Sequence, residues 1–346
     1  MPNSRFFSKK SISGSLLVSL SLFIILLFNA GIAQADWDFG AKYAGEFMTL
    51  GADAASAALG ESGIAYASGA ASAYWNPAGI IDTHGGAFSA MHANRFAGIV
   101  KYDFLAAAQR FSPKEVFALT LFRLGIDDIP LTALEDPSSP LSEDNIVIAE
   151  KWTTDSEIAF IATYATQWKK HIAWGVNGKL LSKKVGNNQA FGIGFDAGAR
   201  WYAAPSFTAG VKIADLTTTY LGWDTGHNEL ILPSASLGIM KRFHLRKLEA
   251  DLTIVSDVVF RGENRRQADQ FAWGVFSGET HLGLEYTIKN TLSLRGGLDT
   301  DRFTAGAGLK IGPVQADYAF QAHQGLGESH RISLSCRWQG NPLIRD

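Results

Sequence analysis

The chain has 346 residues; 18% are charged and 12% aromatic, with 35 Gly, 22 Phe and a single Cys. The charged fraction lies below the roughly 25% of a soluble domain. The aromatic content and net charge of −2 exclude a disordered chain and leave no basic excess for nucleic acid. The lone Cys336 excludes an internal disulfide framework and a Cys-rich zinc site.

Residues 1–35 read as a secretory signal peptide. Arg5, Lys9 and Lys10 are basic, residues 16–28 are mostly apolar, and Ala33-Gln34-Ala35 offers a cleavage site before Asp36. The run is about 13 residues, short of the ~20 that a membrane helix needs. The expected location is the outer membrane of a Gram-negative-type bacterium, after cleavage near Ala35.

Residues 36–83 do not alternate. Positions 54–73 are crowded with Ala, Ser and Gly, and Glu61 is their one charge. Small residues permit helical turns and close packing, so this stretch is expected to form a helical or irregular hatch. Tyr74-Trp75-Asn76-Pro77-Ala78-Gly79 follows. Pro77 fixes φ, Gly79 permits a tight turn and Asn76 can bond nearby backbone, which predicts a turn.

From residue 84 to 338 the dominant period is two, the signature of strands. Fourteen segments are predicted, near 84–95, 97–111, 115–126, 157–168, 171–184, 190–203, 206–214, 230–243, 247–260, 279–288, 291–298, 302–311, 313–323 and 329–338. Very short connections such as Lys169-Lys170 and Lys289-Asn290 alternate with a class that includes the long polar stretches 127–156, 215–229 and 261–278. Short turns at one end and longer loops at the other predict an all-β, transmembrane, up-and-down antiparallel β-barrel of about fourteen strands. The hatch would sit in its lumen, and residues 339–346 would form a short tail. A secreted sandwich also has period two, but its polar face looks outward. Here one face is apolar, with Trp168, Trp174, Trp201, Phe303 and Trp338 near segment ends as interfacial aromatics. The candidate lumen charges are Lys101, Asp103, Glu157, Lys179, Asp196, Arg200, Asp251, Glu285, Arg295 and Arg331. Cys336 falls on the apolar face. Pro233 and the Gly296-Gly297 pair are candidate wall openings, because Pro and Gly weaken a strand ladder.

No catalytic constellation emerges. Gly274-Val275-Phe276-Ser277-Gly278 lacks the spacing of a nucleophile elbow, and Ser329 and His330 face opposite ways on a strand. No enzyme, cofactor or metal site is expected. The acidic stretch 127–156 has no EF-hand spacing and reads as a solvated loop. Arg261, Arg265 and Arg266 beside Asp269 suggest a loop able to meet lipopolysaccharide phosphates.

Two stretches carry a resemblance. Residues 47–63, FMTLGADAASAALGESG, followed by Tyr74-Trp75-Asn76-Pro77-Ala78-Gly79-Ile80, resemble the N-terminal signature of the PorV/PorQ family. Residues 326–335, LGESHRISLS, resemble that family's last strand. These are outer-membrane barrels related to the FadL long-chain fatty-acid transporters. The resemblance implies that Trp75, Asn76, Pro77, Ala78 and Gly79 belong to a hatch inside a fourteen-stranded barrel. It covers the two ends of the chain; the middle matches by strand rhythm alone. It implies passage of small hydrophobic molecules, with outer-membrane lipid and a hydrophobic ligand as partners. The alternative is a component or partner of a type IX secretion system that handles secreted proteins.

Overall fold

A computed structural model of the chain describes residues 45–96, 98–263, 265, 269–322 and 327–340. The expected signal peptide, Arg266 and most of the tail lie outside them.

The strands are β1 (Gly86–Arg95), β2 (Val100–Ser112), β3 (Glu115–Leu134), β4 (Val147–Lys169), β5 (Ile172–Val185), β6 (Asn188–Ala204), β7 (Phe207–Ala214), β8 (Thr219–Trp223), β9 (Asn228–Ile231), β10 (Ser234–Leu245), β11 (Ala250–Arg261), β12 (Phe271–Trp273), β13 (Phe276–Ile288), β14 (Leu292–Asp299), β15 (Arg302–Ile311), β16 (Val314–Gln321) and β17 (Ser329–Trp338). Each of the fourteen predicted segments coincides with one of these. The three short additions are β8, β9 and β12. Neighbours pair antiparallel, and β1 pairs with both β2 and β17, with Gly86 opposite Trp338 and Asn94 opposite His330. The sheet therefore closes into a fourteen-stranded barrel, which removes the edges that would otherwise recruit other chains.

The faces are inverted relative to a water-soluble protein. Outward side chains are apolar and exposed, among them Leu119 (55%), Phe191 (64%) and Ile332 (62%). Inward positions hold buried Asp196, Arg200, Arg295 and Arg331. Lipid rewards the first face, and paired charges satisfy the second. Trp168, Trp174 and Trp201 lie outward beside the short turns. Cys336 lies opposite Phe88 and Val314 on the outward face.

The stretch 127–156 is not a loop throughout. β3 and β4 continue past the rim as a ribbon that pairs Ile129 with Thr153 and Leu134 with Val147. Register shifts between Ile126 and Ile129, and between Leu131 and Thr132, break the alternation that a sequence reading relies on. Ile129, Leu131, Val147, Ile148 and Trp152 supply the strand-forming residues. The stretch 215–229 likewise contains β8 and the start of β9, and 261–278 contains β12.

The segment before β1 folds into short helical turns at Glu46–Thr49, Ala54–Ala58, Gly69–Ala71, Ser72–Trp75 and Pro77–Asp82. Nearly all of its side chains are buried. Asp53 caps the second turn, accepting from Ser56 N at 2.7 Å. Asn76 caps the last, accepting from Ala78 N at 3.1 Å, with Pro77 at the first helical position. This hatch touches the inward faces of strands all round the barrel.

Candidate functional site

The hatch is held where the wall is bare. Gly175, Gly198, Gly210, Gly238, Gly283 and Gly306 point inward, and a Cβ on any of them would overlap hatch atoms. Gly175 faces the Pro77 and Ala78 backbone, Gly198 and Gly210 face Asn76, and Gly283 faces Leu59. Glycine is required here because only a missing side chain lets two backbones approach this closely.

The Trp75 to Gly79 element lies at the centre of this contact. Trp75 Nε1 donates to Asp53 at 2.7 Å. Asn76 is fully buried. Its Nδ2 donates toward the carbonyls of Ile64 (3.3 Å), Ala199 (3.1 Å) and Val211 (3.3 Å), tying the hatch to β6 and β7. Gly79 leaves room for the Arg200 guanidinium, which donates to Ile64 O at 3.1 Å and pairs with Asp82 at 3.3 Å.

Most candidate lumen charges do face inward, and they are already partnered. Lys179 bridges Asp196 (2.6 Å) and Asp215 (2.5 Å). Glu157 pairs with Lys183 at 2.7 Å. Arg295 pairs with Glu285 (2.7 Å) and Asp317 (2.8 Å), and Tyr66 of the hatch donates to Glu285 at 2.7 Å. Arg331 pairs with Glu61 of the hatch at 2.5 Å. Burial pushes the Glu61 carboxyl up from its ordinary value, against the opposing pull of Arg331. Asp251 lies near the short-turn end, bonded to His244. Asp257, which shares the charged face of β11 with Asp251, accepts from Gly63 N and Ile64 N, each at 2.8 Å. The separation of 193 positions between Ile64 and Asp257 leaves no local signal for that pair.

Lys101 and Asp103 are corrections. They lie on the outward face near the loop end, where Lys101 pairs with Asp127 (2.8 Å) and Asp103 with His92 (2.7 Å) and Arg123 (3.6 Å). The inward face of β2 carries buried Tyr102, Phe104, Ala106 and Ala108 instead. Apolar residues face inward there because they pack against the apolar hatch; Tyr102 also donates to Gly51 O at 2.8 Å.

Gly296 and Gly297 do not open the wall. They pair on one side with Leu284 and Gly283 and on the other with Ala305 and Thr304. Gly297 is where Leu59 and Gly60 of the hatch press against β14. Pro233 lies where the ladder changes partners, just before Ser234, which pairs with Ala214 and Arg261. Residues 232 and 233 separate β9 from β10, residues 215–218 separate β7 from β8, and β9 pairs with β8 alone among the described residues. The Pro233 carbonyl accepts from Gly262 N at 3.3 Å.

Two cavities flank the hatch. The larger, of about 680 Å³, opens toward the loop end; its lining mixes apolar Met48, Leu50, Ile231, Leu232 and Pro233 with charged groups such as Glu61, Lys212, Asp257 and Arg302. The smaller, of about 210 Å³, lies on the short-turn side and is lined by polar groups such as Arg242, Asp251 and Lys310. Arg261 and Arg265 do not reach outward for phosphate: Arg261 pairs with Asp269 and Glu279, and Arg265 with Glu46 and Asp269. The Ser277 hydroxyl lies within hydrogen-bond distance of Glu263 O and Asp269, and His330 bonds Tyr318, so neither serine motif assembles a nucleophile with a histidine base.

No protein-family model and no curated protein sequence matches the chain. Solved structures do match. The Pseudomonas putida toluene transporter TodX aligns at a TM-score of 0.54 with 13% identity, over 82% of this chain and 96% of that one. The Ralstonia pickettii toluene transporter TbuX gives 0.51 and 13%, over 84% and 99%. A Pseudomonas aeruginosa FadL homologue gives 0.52 and 12%, over 83% and 98%. At this identity the likeness is one of fold: the chain is a closed fourteen-stranded barrel, built like these channels, with a short helical segment in its lumen.

Proposed function

We propose that the chain is an outer-membrane channel that passes small hydrophobic molecules, and that it is not an enzyme. The observation carrying this reading is the cavity of about 680 Å³ on the loop side of the hatch, whose lining includes Ile231, Leu232 and Pro233 where the ladder changes partners. The glycine contacts leave little room for an axial route past the hatch. A hydrophobic solute captured at the loop end would leave sideways past Pro233, into lipid, without crossing the charged pairs beneath. The printed names of TodX and TbuX, toluene transporters, agree with this class of solute. The placement of long loops outside the cell and short turns in the periplasm belongs to the same proposal.

The test is uptake of radiolabelled toluene by cells that lack other hydrophobe channels. Expression of the chain is expected to raise the initial rate several-fold over the vector. Filling the route with bulky side chains, Leu232→Trp and Pro233→Trp, is expected to remove the gain. Uptake equal to the vector refutes the proposal. The finer PorV/PorQ assignment rests on the two sequence stretches, and no observation among the described residues favours an export role over passage. Purification of the detergent-solubilised barrel with a stoichiometric secreted protein and an empty lumen would reverse that order.

A further inference from the structure

The two rims of the barrel carry opposite charge. At the short-turn end Lys114, Lys170, Arg246, Lys247 and Lys289 stand exposed in the β2–β3, β4–β5, β10–β11 and β13–β14 turns. Glu249, 3.7 Å from Lys289, is the one exposed carboxylate of that rim among the described residues. Lys114, Lys170, Arg246 and Lys247 make no ion pair among the described residues. The loop end is the reverse. Asp128, Glu135, Asp136, Glu143, Asp144 and Glu150 are exposed there, and Lys151 is the single cation of the stretch 127–156. Two further lysines fix the depth of the basic rim. Lys169 Nζ lies 4.4 Å from the centroid of the Trp168 ring, and Lys241 Nζ lies 5.7 Å from that of Phe243. Both rings are exposed beside the short turns. An aromatic ring under a cation marks the depth where hydrocarbon gives way to headgroups.

We infer that the short-turn rim is a binding surface for anionic phospholipid, whose headgroups are held by Lys169, Lys170, Arg246 and Lys247 beside the interfacial aromatics. An anionic leaflet attracts each Lys or Arg close to it, and the long apolar stems let the charges reach headgroup depth. The arrangement round the barrel favours a leaflet over a docked protein. The β2–β3 and β10–β11 turns lie on nearly opposite sides of the barrel, and both are basic. A protein partner would cover one side, whereas a leaflet surrounds the wall. The same field repels the acidic loop rim, so the charge asymmetry also assigns the short-turn end to the anionic phospholipid leaflet. None of this depends on which solute the lumen takes.

The experiment reconstitutes the purified full chain in phosphatidylcholine vesicles with a trace of spin-labelled phosphatidylglycerol or spin-labelled phosphatidylcholine. Electron spin resonance reads the fraction of each label immobilised at the protein. At about 0.01 M salt the glycerol lipid is expected to be preferred about threefold or more. At about 1 M salt, where charges are screened within roughly 3 Å, the preference is expected to fall toward one. The combined variant Lys169→Gln, Lys170→Gln, Arg246→Gln and Lys247→Gln is expected to lose the preference at low salt. Lys151→Gln with Lys184→Gln, at the loop end, is expected to keep it. Retention of the heat-dependent shift in gel mobility shows that each variant is a folded barrel. Equal immobilisation of the two lipids by the unchanged chain overturns the inference, as does a preference that survives in the fourfold variant. A preference lost equally in the loop-end variant overturns the assignment to the short-turn rim. An acidic protein that co-purifies with the unchanged chain and not with the fourfold variant, with no lipid preference, gives the rim to a protein partner instead.

Discussion

The hatch should come loose when Asn76 is shortened. In Asn76→Ala three carbonyls, of Ile64, Ala199 and Val211, lose a shared donor, and Ala78 N loses its cap. One amide group has two hydrogens, so the three long contacts amount to about two bonds, each worth roughly 0.5–1.5 kcal/mol net. The lost cap adds about 1 kcal/mol. The hatch is then held about 2–4 kcal/mol more weakly, which is roughly 30- to 1000-fold in a local opening equilibrium because each 1.4 kcal/mol is tenfold. Amide hydrogen exchange read by mass spectrometry separates local from global opening. Peptides covering residues 63–83 should exchange faster by that factor, while β14 to β16 keep their protection. Asn76→Asp should be worse than Asn76→Ala, because it places a carboxylate against three carbonyl oxygens in a buried site. Unchanged exchange in residues 63–83, or an equal acceleration in the strands, would refute the idea that this side chain fastens the hatch to β6 and β7.

Two further outcomes follow from the same contacts. In Gly175→Ala the new methyl group meets the Pro77 carbonyl carbon at 2.6 Å and Ala78 N at 2.8 Å. Backbone atoms cannot yield as a flexible side chain does, so a loss of about 1–3 kcal/mol in hatch docking is expected, read by the same exchange experiment; wild-type protection would show that the wall is not in contact there. Removing Glu61 alone, as Glu61→Gln, leaves Arg331 buried without its partner and should cost about 3–5 kcal/mol. Glu61→Gln with Arg331→Met should cost less than the single change, and additive losses in that double-mutant cycle would show that the pair is not coupled.

The strands were legible because lipid and lumen impose opposite demands on alternate residues, and a period of two survives without knowledge of any partner. Ile332 and Leu334 against Arg331 and Ser333 announce β17 by themselves. Which parity faces inward was harder where both sets are partly apolar. In β2 the residues Tyr102 and Phe104 turn toward the hatch, and the charges Lys101 and Asp103 sit outside, paired with Asp127 and Arg123 at the loop end. Charge alone therefore misplaces them; the cue is the apolar hatch that β2 must cover, which lies 50 residues upstream and has no periodicity. The ribbon of β3 and β4 was hidden by bulges that shift the alternation, so its acidic residues read as a loop. Single strand glycines carried information that a ladder-breaking rule misuses. Gly297 marks a place where the hatch backbone touches the wall, and Pro233 the place where β8 and β9 pair apart from β7 and β10.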